Sequence, residues 1–178
     1  MRIFLFTLLL YACNTGQQQA KVSTTTTPDA AISTTDSMIP AVYDTDGKLI
    51  KVTKSDEEWA RILPTKSYNV LRKEGTEYAF SGDYWKNHEK GTYVCRGCRL
   101  PLFASSTKFE SGTGWPSFYE PIDKRYVTEN RDESLGMTRV EVECARCGGH
   151  QGHVFDDGPR PTGLRYCINS VSLDFVKE

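Results

Sequence analysis

The residues with the most chemistry in this sequence are its cysteines. Cys95 and Cys98 form one C-x-x-C pair and Cys144 and Cys147 form another, in "CRGC" and "CARCGG". Two thiolates two residues apart on a tight turn can face a single ion, and two such turns complete a tetrahedron of sulfur. The twin spacing predicts a closed, structural zinc site with four sulfur ligands and no open position. Vicinal redox pairs or structural disulfides are the rival reading in an oxidising compartment. A redox C-x-x-C, however, sits between a strand and a helix, which neither pair does.

Cys167, in "GLRYCINS", has no such partner. A lone thiol is most often a small core hydrophobe. Its neighbours point elsewhere. If residues 165–169 are extended, Arg165, Cys167 and Asn169 share one face and Tyr166 and Ile168 fill the core from the other. A guanidinium beside the thiol favours the thiolate, so the expectation is a nucleophilic Cys167 with a depressed pKa and Arg165 as its cause.

Just upstream, "GGHQGHVFDDGPRPTG" supplies His150 and His153, two of the chain's three histidines, with Asp156 and Asp157 beyond them. They read as residues of a Gly-rich loop that the second cysteine pair could hold rigid, suited to proton handling near neutral pH. In "SGTGWPSF", Trp115 stands between Gly114 and Pro116, a turn that could present its indole outward. Such a ring suits a thioether methyl, because sulfur contacts aromatic rings favourably.

These groups need a scaffold. "SDEEWARIL" opens with Ser55 and Glu58 at capping-box spacing, which predicts a short helix carrying Trp59, Ile62 and Leu63 and closed by Pro64. A second helix carries Tyr68, Val70 and Leu71, with Gly75 in the C-cap role. Beyond Gly91 the signals change. "MTRVEVEC" alternates, placing Val140, Val142 and Cys144 on one face, and "RYCINSVSLDFV" reads as strand bent near Ser170. The class is mainly antiparallel β with short N-terminal helices. A chain of 178 residues, 38% hydrophobic, builds one core. Its net charge of −1, without a basic run, excludes nucleic acid as an expected partner.

The N-terminus is of another kind. "MRIFLFTLLLYAC" has one arginine and an apolar run too short to span a bilayer. It resembles a bacterial lipoprotein signal with Leu10–Cys13 as the cleavage box. On that reading residues 1–12 are removed and Cys13 becomes a lipid-bearing N-terminus. A plain secretory signal and an uncleaved anchor are the alternatives. Residues 13–45 are polar and Thr-rich, a tether that cannot bury enough apolar surface to fold. Residues 46–178 remain as the domain, exported and lipid-anchored to a bacterial membrane, facing the periplasm or the cell surface.

Four motifs, "EGTEYAFSGDYW", "GTYVCRGCRLPLF", "KFESGTGWPSFYEP" and "CARCGGHQGHVFDDGPRPTGLRYCINSVSLDF", follow in order from about residue 54 to the end. Together they resemble the B-type methionine sulfoxide reductases, which act on the R epimer of the sulfoxide. The resemblance implies a zinc-stabilised β-tent of two packed antiparallel sheets and a monomeric peptide-methionine (R)-S-oxide reductase. It places the nucleophile on Cys167, one structural zinc on Cys95, Cys98, Cys144 and Cys147, and the substrate-methyl pocket on Trp115. The site's polar groups fall on His150, His153, Arg165 and Asn169. It also implies oxidised proteins, and free methionine sulfoxide, as substrates and a thioredoxin-like thiol as reductant. Many members carry a resolving cysteine where this chain has Thr113. The same scaffold serves elsewhere as a non-catalytic ligand-binding module; the Arg-x-Cys-x-Asn face and the paired histidines discriminate against that reading.

Overall fold

Ser55 starts the first helix by the reciprocal bonding its spacing predicts. Its hydroxyl accepts from the Glu58 N–H at 3.3 Å, and the Glu58 carboxylate accepts from the Ser55 N–H at 2.8 Å. The helix α1, Asp56–Ile62, buries Trp59 and leaves Ile62 exposed. Pro64 ends it and caps α2, Thr65–Lys73, which buries Ser67, Val70 and Leu71. The C-cap expectation needs correction. The left-handed residue is Glu74, at φ 55°, and Gly75 follows it. Gly75 serves close approach: a Cβ there would lie 3.0 Å from the Asn69 carbonyl oxygen, which already accepts the Gly75 N–H.

The computed structural model describes residues 42–178, so Cys13, the signal sequence and all but the last residues of the expected tether lie outside the described residues. Val42 and Leu49 already pack against the core, and Tyr43 pairs with Leu49 in an isolated bridge. No helix among the described residues is long and apolar enough to cross a membrane.

Nine strands follow: β1 Gly91–Cys95, β2 Pro101–Ala104, β3 Lys108–Phe109, β4 Ser117–Phe118, β5 Val127–Asp132, β6 Arg139–Cys144, β7 His150–Phe155, β8 Arg165–Ile168 and β9 Leu173–Lys177. They form a three-stranded sheet in the order β2-β1-β9 and a six-stranded sheet in the order β3-β4-β8-β7-β6-β5. Every pairing is antiparallel. Aromatic side chains join the sheets: Phe103 of β2 stacks on Phe118 of β4 at 4.5 Å between centroids, and Tyr93 of β1 meets Phe118 edge-on at 5.0 Å.

The bend expected near Ser170 is a change of sheet. A single 3-10 turn, Ser170–Ser172, carries the chain from β8 in one sheet to β9 in the other. In β6, Val142 and Cys144 are buried as the alternation requires, but Val140 sits at the strand's outer end and is exposed.

Candidate functional site

The two cysteine pairs occupy equivalent hairpin turns, one between β1 and β2 and the other between β6 and β7. The Arg99 N–H donates to the Cys95 carbonyl at 2.8 Å, and the Gly148 N–H donates to the Cys144 carbonyl at 2.8 Å. Arg99 and Gly148 both take φ 66°, so the two knuckles share one backbone geometry. The left-handed position of the first knuckle falls on Arg99 and not on its glycine, Gly97. All four sulfurs lie within 4.8 Å of one another, with 3.7 Å between Cys95 and Cys147 and 3.5 Å between Cys98 and Cys144. A tetrahedron with metal–sulfur bonds of about 2.3 Å has edges of about 3.8 Å, so this donor set fits one thiophilic cation. Gln151 donates to the Cys95 sulfur at 3.6 Å, the kind of outer hydrogen bond that orients a ligand. Neither pair joins a strand to a helix, which sets the redox reading aside.

Cys167 lies at the middle of the six-stranded sheet. In β8 it stands opposite Ser117 of β4 on one side and His153 of β7 on the other. Tyr166 and Ile168 are buried on the reverse face, as the alternation requires. Strands β7 and β8 approach so closely here that a Cβ on Gly152 would lie 2.0 Å from the Cys167 carbonyl oxygen. Only glycine fits.

The histidines occupy strand β7, not a loop. Between Glu141 and Glu143 of β6 there is one residue, but their partners His153 and His150 are separated by two. That extra residue is a bulge, and it brings to one side two histidines that regular alternation would place on opposite faces. Their rings lie 5.4 Å apart. His150 is 3% exposed and donates from Nδ1 to Glu141 Oε1 at 2.6 Å.

His153, Cys167, Asn169 and Trp115 line one cleft of about 130 Å³, which Thr76, Arg139, Gly152 and Phe155 complete. His150 and Arg165 do not line it. His153 donates from Nε2 to Asp132 Oδ2 at 2.8 Å, and Arg139 donates to the same oxygen at 2.6 Å. Asp132, absent from the expected site, carries no motif signal; only the β5–β6 pairing brings it to His153. Glu77 is the other residue the sequence conceals. Its N–H donates to Asn169 Oδ1 at 3.0 Å, and its carbonyl accepts the Trp115 indole N–H at 3.2 Å. One backbone position therefore anchors two walls of the cleft.

The expected depression of the Cys167 pKa is not found. Burial pushes the thiol up, outweighing the Thr113 hydroxyl and the Arg165 charge, which both favour the thiolate. Arg165 directs its guanidinium at Asp157, with bonds of 2.8 and 2.9 Å, and stacks on Phe155. Asp157 opposes the Arg165 charge at the sulfur more weakly than Arg165 acts there, and it is burial that outweighs both. Burial likewise pushes His150 and His153 down, the Asp132 carboxylate opposing this at His153. Asp132 itself is held well below the usual carboxylate range by bonds from Ser134, His153 and Arg139. At neutral pH the pair at rest is thus a protonated thiol beside a neutral imidazole. Such a pair can pass one proton while the sulfur attacks.

Residues 63–177 match the SelR domain. The chain is 59% identical over 128 residues to the peptide methionine sulfoxide reductase MsrB of Leptospira interrogans, covering 72% of this chain and 98% of the relative. It is 58% identical over 128 residues to the MsrB of Methanosarcina mazei, covering 72% and 91% of the two chains. The MsrB of Agrobacterium fabrum is 56% identical over 125 residues, or 70% and 93%. With a likeness of this extent and a cleft built around Cys167, the chain belongs to the SelR-domain family of peptide methionine sulfoxide reductases.

Proposed function

We propose that this protein reduces methionine R-sulfoxide, in peptides and proteins and as the free amino acid, with Cys167 as nucleophile. The observation that carries the reading is Cys167 directly opposite His153, in a cleft walled by the Trp115 indole. The Cys167 proton passes to His153 as the sulfur attacks the sulfoxide sulfur. His153, oriented by Asp132, delivers that proton to the sulfoxide oxygen, directly or through a water. The protonated oxygen then moves from the methionine sulfur to the Cys167 sulfur as the S–O bond and the sulfur–sulfur bond formed by the attack both break, so methionine leaves and Cys167 holds the oxygen and proton as a sulfenic acid. The substrate sulfur is reduced by two electrons and the cysteine sulfur is oxidised by two. A thioredoxin-like dithiol then restores Cys167. Trp115 receives the sulfoxide methyl and Asn169 orients the cleft, while His150, held by Glu141, and Arg165, held by Asp157, stand behind its lining. Nothing supports the non-catalytic ligand-binding alternative, in which Cys167 would be packing alone.

The four-sulfur centre is proposed to hold one structural zinc. It supplies rigidity: one knuckle leads directly into β7, the strand of His150 and His153. At the N-terminus, "LYAC" supports processing at Cys13 and a lipid anchor, holding a monomeric domain outside a bacterial membrane. Radiolabelled lipid retained by the wild type and lost from Cys13→Ala tests that anchor. The activity is tested by offering purified R and S epimers of dabsyl-methionine sulfoxide with dithiothreitol. Loss of the R epimer alone is expected; turnover of the S epimer, or of neither, contradicts the assignment.

A further inference from the structure

The cleft at Cys167, about 130 Å³, is below the size of sites that enclose a whole small ligand, and has room for one side chain. A peptide substrate must leave it at once on both sides of the sulfoxide residue. On one side a second cavity of about 240 Å³ begins, and Thr76 lines both. Val70, Val171 and Tyr78 give the second cavity apolar walls, and Lys66 and Asn69 lie at its polar edge.

The partition between the two cavities is rigid. Besides its bonds to Asn169 and Trp115, Glu77 accepts the Ser170 and Val171 N–H groups on its carboxylate at 2.6 and 3.1 Å. The Tyr78 carbonyl accepts the Ser81 hydroxyl at 2.6 Å, and the Phe80 N–H donates to the Gly114 carbonyl at 2.8 Å. This pinned lip holds Tyr78 88% exposed beside the opening.

Because Thr76 lines both cavities, we infer that the second is a peptide subsite, which takes an apolar residue flanking the methionine sulfoxide and closes on it with the Tyr78 ring. The inference rests on the reductase reading above. The subsite makes the enzyme prefer sulfoxide in exposed apolar chain segments over the isolated residue. Tyrosine suits the task, offering a wide apolar face with little conformational freedom to lose on contact.

The test compares three substrates by kcat/KM: N-acetyl-methionine-R-sulfoxide amide, a pentapeptide with leucines flanking the sulfoxide residue, and the same peptide with glycines. Wild type is expected to favour the leucine peptide over the blocked amino acid by about tenfold, the size of one well-buried apolar contact. Tyr78→Ala, at a surface position, should bring that ratio below about threefold, mainly through KM, and leave the blocked amino acid unchanged. Equal rates on leucine and glycine peptides in wild type, or an undiminished preference in Tyr78→Ala, would overturn the subsite while the reductase reading stands. No turnover of any of the three by wild type would instead refute the reductase reading itself, and the subsite with it.

Discussion

Thr113 Oγ1 lies 3.9 Å from Cys167 Sγ, a hydroxyl at the distance from which a second thiol could close a disulfide. Ser111 holds that hydroxyl with a bond of 2.8 Å. The other described cysteines are gathered in the four-sulfur centre. Oxidised Cys167 is therefore expected to persist as sulfenic acid until an external thiol attacks it. With methionine R-sulfoxide and no reductant, each chain should release at most one methionine and take a dimedone adduct at Cys167. Thr113→Cys should form an intrachain disulfide with Cys167 under the same treatment. A Cys167 disulfide to any of the four metal-site cysteines after one turnover contradicts this.

Because burial outweighs Arg165 at the Cys167 thiol, resting reactivity should be low. Iodoacetamide should label Cys167 more slowly than free cysteine at pH 7, and labelling should rise only as the pH passes the ordinary thiol value of about 8.5. Arg165→Ala should slow it by no more than a few fold, since burial and not the Arg165 charge dominates at the sulfur. Labelling faster than free cysteine would restore a depressed pKa.

The proton-passing pair makes a separate statement about pH. His153 is pushed down, so it stays neutral until the pH falls below about 6.5. Cys167 is pushed up, so it keeps its proton until the pH rises beyond the ordinary thiol value. The profile of kcat/KM should be a plateau between these limits, broader than an unperturbed histidine–cysteine pair would give. Asp132→Asn removes the carboxylate that fixes the His153 ring and should lower kcat about 100-fold, within the usual range for general acid–base catalysis. An unchanged kcat would remove Asp132 from the mechanism.

Depressed histidines also bear on stability. Where the folded pKa lies below the unfolded value, the unfolded chain binds more protons, so stability is full above about pH 6.5 and is lost as the pH falls through the folded value. The urea midpoint should accordingly fall from pH 7 to pH 5, and less steeply in His150→Gln.

Removal of metal should unfold the domain. Zinc–thiolate centres contribute on the order of 10 kcal/mol, against a whole-domain stability of roughly 5–15 kcal/mol. The knuckles close one hairpin in each sheet, so both sheets lose a turn together. Cys98→Ser that loses metal but keeps the wild-type melting temperature contradicts this.

Local patterns made much of this legible in the sequence. The capping box, the twin cysteine turns and the Arg165–Asn169 alternation are each read within a few residues, and each is found. What escaped was set by pairing across the sheet. Asp132 reaches His153 only because β5 lies beside β6 and β6 beside β7. Glu77 reaches Trp115 and Asn169 only because the chain before β1 folds over the cleft. The bulge that unites His150 and His153 depends on register, which no residue in "GGHQGHVF" specifies. The face that Arg165 shares with Cys167 is legible in the strand pattern, but the burial of the thiol that outweighs its charge is not.

Cys167 as the nucleophile is tested most directly by stereospecific turnover together with intact mass. Wild type and Cys167→Ser are each incubated with methionine R-sulfoxide, with and without dithiothreitol. Wild type should reduce the R epimer catalytically with the thiol and gain one oxygen on Cys167 without it. Cys167→Ser should keep its metal and its melting temperature and show neither turnover nor added oxygen. Sustained R-sulfoxide reduction by Cys167→Ser contradicts the assignment.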